Sequence, residues 1–163
     1  MKIGVISDTH IPLCAAKLPK IITDSFQDCD LIIHAGDICE LSVIKELSKL
    51  AETKAVHGNM DSHEVKSTLP EKLLLVIAGK KIGVVHGKGI AFNVIKYVSK
   101  SFNKKPDIII FGHSHTPVNE QKDGTLFFNP GSPTDRVFTK YRSFGIIEID
   151  GDKITAKIIK IDE

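Results

Sequence analysis

Residues 107–117 read DIIIFGHSHTP: a short apolar run that ends in a glycine, two histidines one residue apart, and a Thr-Pro turn. Isoleucines and a phenylalanine bounded by turn residues are the pattern of a buried strand. The end of that strand carries two imidazoles, His113 and His115, in a place where any polar residue would serve a plain surface turn. The same format recurs along the chain. Apolar runs lead into Asp8 and His10, into Asp37, into Asn59 and into His86. Singly, each position has an ordinary explanation as a helix cap, a turn former or a structural histidine. Jointly, D-x-H, G-D, G-N, H-G and G-H-x-H at successive strand ends form an ordered set that those explanations do not produce. In sheets with parallel strands, sites assemble in the crevice beyond the carboxyl ends of strands, where residues distant in sequence converge.

The segments between these ends fix the fold class. KIGVIS (2–7) is followed by helical spacing over about 18–26; DLIIHAGD (30–37) is followed by LSVIKELSKLA (41–51), with apolar residues at helical intervals; TKAVHGN (53–59) is a third strand. Alternating strands and helices predict parallel pairs covered by helices. After Pro70 the pattern changes. KLLLVIAGKKIGVVHG (72–87) predicts two strands around the turn AGKK, and a helix follows over about 90–102. PVNEQKDGTLFFNPGS (117–132) and FGIIEIDGDKITAKIIKI (144–161) each place a DG or GD turn between apolar runs, a strong hairpin signal. Ten or so strands against three helices are too many for one open sheet. The expectation is a single domain over 1–163 of α/β (α+β) class, with two mixed β-sheets packed face to face and helices outside, an αββα sandwich of four layers.

Composition narrows the function. A chain of 163 residues with 42% hydrophobic and 26% charged residues fits one soluble domain. The net charge of +2 comes without a basic block, so a nucleic-acid polymer is not implied as partner. The densest basic stretch, Lys96, Lys100, Lys104 and Lys105, falls on an expected helix and its end and reads as a solvated face. Three cysteines without close pairing argue against a stapled secreted framework. No membrane span or signal peptide is legible, which together predict a cytoplasmic protein. Apolar edge strands leave a homo-oligomer open without specifying one.

Asp8, Asp37 and Asn59 supply oxygens, and His10, His86, His113 and His115 supply nitrogens. Seven donors exceed the four of a tetrahedral zinc site and suit two ions. Mixed oxygen and imidazole donors without thiolate favour Mn²⁺, with Ni²⁺, Fe²⁺ or Zn²⁺ as alternatives, over Ca²⁺ or Mg²⁺. Where the segments are extended, residues two apart face the same side, so Asp8 with His10, and His113 with His115, would each aim at one centre. The glycines of HAGD, HGN, VHGKG and FGHSH allow sharp turns and close approach beside the donors.

These motifs, SDTH, HAGD, HGNMD, VHG and FGHSH, resemble those of the calcineurin-like metallophosphoesterase superfamily over nearly the whole chain. Size and the segment NPGS (129–132) are most similar to the small YfcE-like phosphodiesterases, which also resemble the retromer subunit built on the same fold. The resemblance implies that Asp8, His10, Asp37 and His115 bind one divalent ion and Asp37, Asn59, His86 and His113 a second, with Asp37 bridging and a metal-activated water attacking the phosphorus. One departure stands out. Many members have G-N-H, whose histidine lies near the leaving group, whereas this chain has Gly58-Asn59-Met60, and methionine has no proton to donate. The acid is therefore unassigned, with Asp61 and His63 as candidates. Asn59 and Arg136 are candidates for contact with phosphate, and His34 and His57 for orienting the donors beside them. The expected activity is hydrolysis of a small phosphodiester or nucleotide-type substrate; the alternative is a non-catalytic scaffold that binds protein partners. A nuclease acting on duplex DNA is disfavoured by length and charge.

Overall fold

The computed structural model describes residues 1–90 and 93–162. Among the described residues, two sheets of five strands each pack face to face. The first contains β1 (Lys2–Ile6), β2 (Leu31–His34), β3 (Glu52–Ala55), β9 (Ser143–Asp150) and β10 (Lys153–Lys160), in the spatial order β10-β9-β1-β2-β3. The second contains β4 (Lys72–Ile77), β5 (Lys80–Val85), β6 (Ile108–Ile110), β7 (Val118–Lys122) and β8 (Thr125–Asn129), in the order β4-β5-β6-β8-β7. Both sheets are mixed. The pairs β1–β2, β2–β3, β5–β6 and β6–β8 run parallel, and the hairpins and β1–β9 run antiparallel.

Alternation explains how each strand serves two layers. On β1, Ile3 and Val5 join the core between the sheets, where they meet Ile82, Val84, Ile108, Ile110, Phe128 and Ile147. On β2, Leu31 and Ile33 enter that core while Ile32 faces outward, where it packs with Ile22 and Phe26 of α1 (Lys20–Phe26) and Val43 and Leu47 of α2 (Leu41–Leu47). The outer face of the second sheet is covered by Val94 and Val98 of α4 (Val94–Ser99), against Ile109, Phe111 and Phe127. The expected αββα sandwich is the observed one.

Four helices are present among the described residues where three were expected. The additional one, α3 (His63–Thr68), has six residues and buries only Val65, too little for a periodic signal. It is capped by Ser62, whose hydroxyl accepts from the Val65 amide at 3.3 Å. The helix expected over 90–102 begins at Val94, and residues 91–92 of that span lie outside the described residues. The β7–β8 hairpin turns on Asp123 and Gly124, both at positive φ, as a two-residue turn between twisted strands requires. No helix among the described residues is long and apolar enough to cross a membrane.

Candidate metal centre

The loops after β1, β2, β3, β5 and β6 open at one end of the sandwich and bring the donors together. Among the described residues, two sets of donors each have their ligating atoms within 4.8 Å of one another: Asp8, His10 and His115, and Asp8, Asp37 and His86. Asp8 is common to both sets, and Asp37 Oδ2 of the second lies 3.7 Å from His10 Nε2 of the first and 3.2 Å from His86 Nε2. Asn59 and His113 adjoin them. Their side chains meet at 3.0 Å between Asn59 Oδ1 and His113 Nδ1, and the His113 ring is edge-on to His86 with centroids 5.3 Å apart.

The pairing of the two final histidines departs from alternation. Asp8, His10, His113 and His115 have φ of 55°, 43°, 69° and 54°, so neither segment is extended there. Left-handed backbone rotates successive side chains by a different angle from a strand. His115 therefore sits beside His10, with ring centroids 5.1 Å apart, while His113 turns to His86 and Asn59. Non-glycine residues at positive φ are uncommon, and their clustering here, with Asp37 at 55°, is the concentration of strain characteristic of functional sites.

The glycines divide between two uses. Gly36 and Gly87 adopt φ of 96° and 98°, which glycine accepts without cost. Gly58 and Gly112 instead make room: a Cβ on Gly58 would strike the Asp37 carboxylate, and one on Gly112 would strike the Ser7 hydroxyl and approach Asp8 Oδ2 to 2.6 Å.

Hydrogen bonding settles which nitrogen of several rings is available. A carbonyl only accepts, so His86 Nδ1 donates to Ala35 O at 2.8 Å and His113 Nε2 donates to Gly89 O at 2.8 Å. His115 Nδ1 is held by Asp135 Oδ2 at 2.5 Å. Each bond frees the opposite nitrogen to present a lone pair. His86 Nε2 is buried and makes no hydrogen bond of good geometry despite lying close to Asp37. His10 Nε2 faces His115 Nε2 at 3.2 Å, and His113 Nδ1 faces Asn59 Oδ1. In their neutral forms His86 and His115 present Nε2 lone pairs toward Asp37 and Asp8, and His113 Nδ1 faces Asn59 Oδ1; a cation would satisfy these acceptors together, and the donor set therefore fits divalent ions.

The electrostatics agree. Burial would raise Asp8 and Asp37, yet His115 and His86 beside Asp8, and His86 with the Met60 amide and His10 beside Asp37, hold both carboxyls below their ordinary range. Burial would lower His86 and His115, yet Asp37 beside the first and Asp8 beside both, with Asp135 on His115, push each up to about 9. In the absence of an ion, protons on these rings balance the carboxylates.

Asp135 carries no signal in the sequence beyond following NPGS. Ser132 Oγ donates to Asp8 O at 2.7 Å and Thr134 Oγ1 to Thr9 O at 2.7 Å, while Asn129 Nδ2 donates to Gly112 O at 3.0 Å. Residues 129–135 thus brace the two loops that carry four of the donors. Asp135 also accepts from the Val137 and Phe138 amides, and with His115 these keep its carboxyl below the usual range despite burial.

The remaining candidates separate clearly. Asp61 is buried, and its two oxygens accept from the Asp37, Ile38, Cys39 and Gly58 amides at 2.6–3.1 Å. His63 is exposed at the start of α3 and belongs to neither donor set. His34 accepts from the Gly36 amide on Nδ1 at 3.2 Å, which leaves Nε2 to donate to Thr9 Oγ1 at 3.0 Å. It ties the β1 and β2 loops as a neutral ring, burial lowering it to about 3. His57 is partly buried beside Gly58, with Nδ1 unpartnered. Arg136 is exposed and lines a surface hollow with Tyr141 and Arg142, which Asp135 borders.

Residues 1–152 match the family model described as the calcineurin-like phosphoesterase superfamily domain. A probable metallophosphoesterase of Methanothermobacter thermautotrophicus is 37% identical, over 98% of this chain and 92% of its own. A phosphodiesterase of Methanocaldococcus jannaschii is 33% identical, over 80% of this chain and 83% of its own. The crystal structure of Chaetomium thermophilum Vps29 shares the fold with a TM-score of 0.79 at 19% identity, covering 99% of this chain and 97% of that one.

Proposed function

The chain belongs to the calcineurin-like phosphoesterase superfamily, and we propose that it hydrolyses small phosphodiesters or nucleotide-type esters at a centre of two divalent ions, most readily Mn²⁺. The observation that carries this reading is that five donors, Asp8, His10, Asp37, His86 and His115, gather in two sets with ligating atoms within 4.8 Å of one another, with Asn59 and His113 paired beside them. Asp8, His10, Asp37 and His115 would hold one ion; Asp37, Asn59, His86 and His113 would hold the other. The position of Asp37 Oδ2 between His10 and His86 supports the bridging role. Such ions supply Lewis acidity, acidifying a coordinated water and neutralising phosphate oxygens.

The protein's own groups do the rest. Asp135 fixes the tautomer of His115, and Ala35 O and Gly89 O do the same for His86 and His113, so that each ring enters the reaction already oriented. The His113 amide donates to both oxygens of Asp8, at 3.2 and 3.1 Å, and the Met60 amide to Asp37 Oδ1 at 2.8 Å, which locks both carboxylates. Asp61, committed to four amides, is a positioning residue and not a proton donor. Met60, exposed beside Asn59, gives the leaving oxygen no proton. Esters with acidic leaving groups are therefore the best substrates, because an aryloxide or phosphate departs unassisted.

A scaffold that binds protein partners has no use for a complete donor set with oriented tautomers, and this favours hydrolysis over that alternative. The test is turnover of a chromogenic phosphodiester and its monoester after chelation and readdition of Mn²⁺, Ni²⁺, Zn²⁺ or Mg²⁺, with His115→Ala alongside. The reading expects diester hydrolysis that returns with metal and is lost in the variant; inactivity with every metal overturns it.

A further inference from the structure

Two cavities open side by side next to the donors. The first, of about 190 Å³, is lined by Asn59, His86 and Tyr97 of α4 among others. The second, of about 300 Å³, begins where the first ends, sharing Glu71, Val85 and Tyr97, and continues to Ser101 and Asn103. Together they form a groove that leads away from the phosphodiester site across Tyr97.

Charge in this groove is one-sided. Lys66 and Lys88 line the first cavity and Lys72 and Lys100 the second, against the single carboxylate of Glu71. Lys88 Nζ stands 5.0 Å from the centre of the Tyr97 ring, and Lys66 Nζ donates to Asn59 O at 2.8 Å, which ties the cationic wall to a donor loop. Lys72 Nζ donates to Ser101 O at 3.0 Å, holding the far end of the groove to the turn after α4. Tyr97 is half-buried, its position fixed by packing against the core under α4. An aromatic with the Lys88 ammonium over its ring and with Lys66, Lys72 and Lys100 lining the same groove offers a stacking surface for a base and neutralisation for a phosphate.

Resting on the phosphodiesterase reading, we propose that the substrate is an extended nucleotide ester. One base stacks on Tyr97, and a second anionic group, beyond the bond that is cleaved, lies at Lys72 and Lys100. The lysine of α4's end that looked like a solvated charge is on this reading a specificity determinant, because the fold turns Lys100 toward the groove that starts at Asn59.

The test is calorimetric titration of the Mn²⁺-loaded protein with a phosphorothioate-linked dinucleotide, with and without a 5′-phosphate. The wild type should bind the phosphorylated form about tenfold tighter. Tyr97→Ala should weaken both forms about tenfold, the scale of one lost base–aromatic stack, and Tyr97→Phe should bind as the wild type does, which separates stacking from a folding defect. Lys72→Ala with Lys100→Ala should abolish the preference for the 5′-phosphate while the bound Mn²⁺ stays at the wild-type level. Equal binding of the two forms by the wild type, or an affinity unmoved by Tyr97→Ala, overturns the groove. Because the readout is binding, it is independent of turnover. Normal titrations with no hydrolysis of any diester would sink the functional reading alone, and diester hydrolysis without these preferences would sink the groove alone.

Discussion

The two sides of the centre are built differently. On the side of the β1 and β2 loops, Asp8, His10 and Asp37 are at most 6% exposed and rest on the hydroxyls of Ser132 and Thr134, the Asp61 carboxylate and the buried ring of His34. On the side of the β3 loop, Asn59 and Met60 are exposed, and His113 is only half-buried against Gly89 O. The contrast teaches a division of labour. The buried side has its geometry set by the fold before anything binds, at the cost of left-handed backbone at Asp8, His10 and Asp37. The open side faces the groove, where on the proposed reading a substrate would enter and where residue identity would tune chemistry without touching the scaffold.

The comparison breaks most visibly at Asp8, which belongs to both donor sets. Asp8→Ala should lower diester kcat/KM by about a thousandfold, the scale of several kcal/mol of lost charge stabilisation; a loss below tenfold would mean that the buried side does not hold the reacting centre. On the open side, Met60→His should instead add function. With a proton donor beside Asn59, turnover of alkyl diesters with poor leaving groups should rise about a hundredfold relative to aryl diesters, the lower end of general-acid contributions. An unchanged ratio of the two substrates would remove Met60 from the vicinity of the leaving group.

Asp135→Asn probes the brace rather than the donors. Losing the charged partner of His115 should weaken Mn²⁺ binding about 10–100-fold, as removal of outer-shell partners does, with the diester KM little changed at saturating metal. The effect of pH is smaller for each unit. His86 and His115 are raised to about 9 in the metal-free protein, so an ion must displace their protons at neutral pH. Raised folded values mean protons held from acid pH up to about 9 and released above it. Mn²⁺ affinity should therefore strengthen by about tenfold per pH unit between 7 and 9 for one displaced proton; a flat profile in equilibrium titrations would show that those rings are not displaced.

Much of this was legible in the sequence because it depends on residue type at strand ends. The apolar runs leading to Asp8, Asp37, Asn59, His86 and His113 gave the strands, and the DG and GD turns gave the hairpins, since both signals are local. What was not legible depends on tertiary approach. Asp135 reaches His115 only because residues 129–135 fold back over the β1 loop, and no spacing within the chain encodes that. Asp61 reads as an acid by type, and only the four amides around it reveal a positioning role. The positive φ values at His113 and His115 escaped because neither is glycine, so alternation aimed both rings at one centre, whereas the resemblance divided them between two ions. α3 was too short to show a period, and the groove past Tyr97 exists only once α4 lies against β5.

The central claim is a two-ion centre with one buried and one open side. It is tested most directly by measuring Mn²⁺ per chain during stepwise dialysis, with diester turnover followed on the same samples. The account predicts two ions per chain at saturation, the one on the open side leaving first and activity falling with it. A single ion per chain at saturation, with full activity, would contradict it.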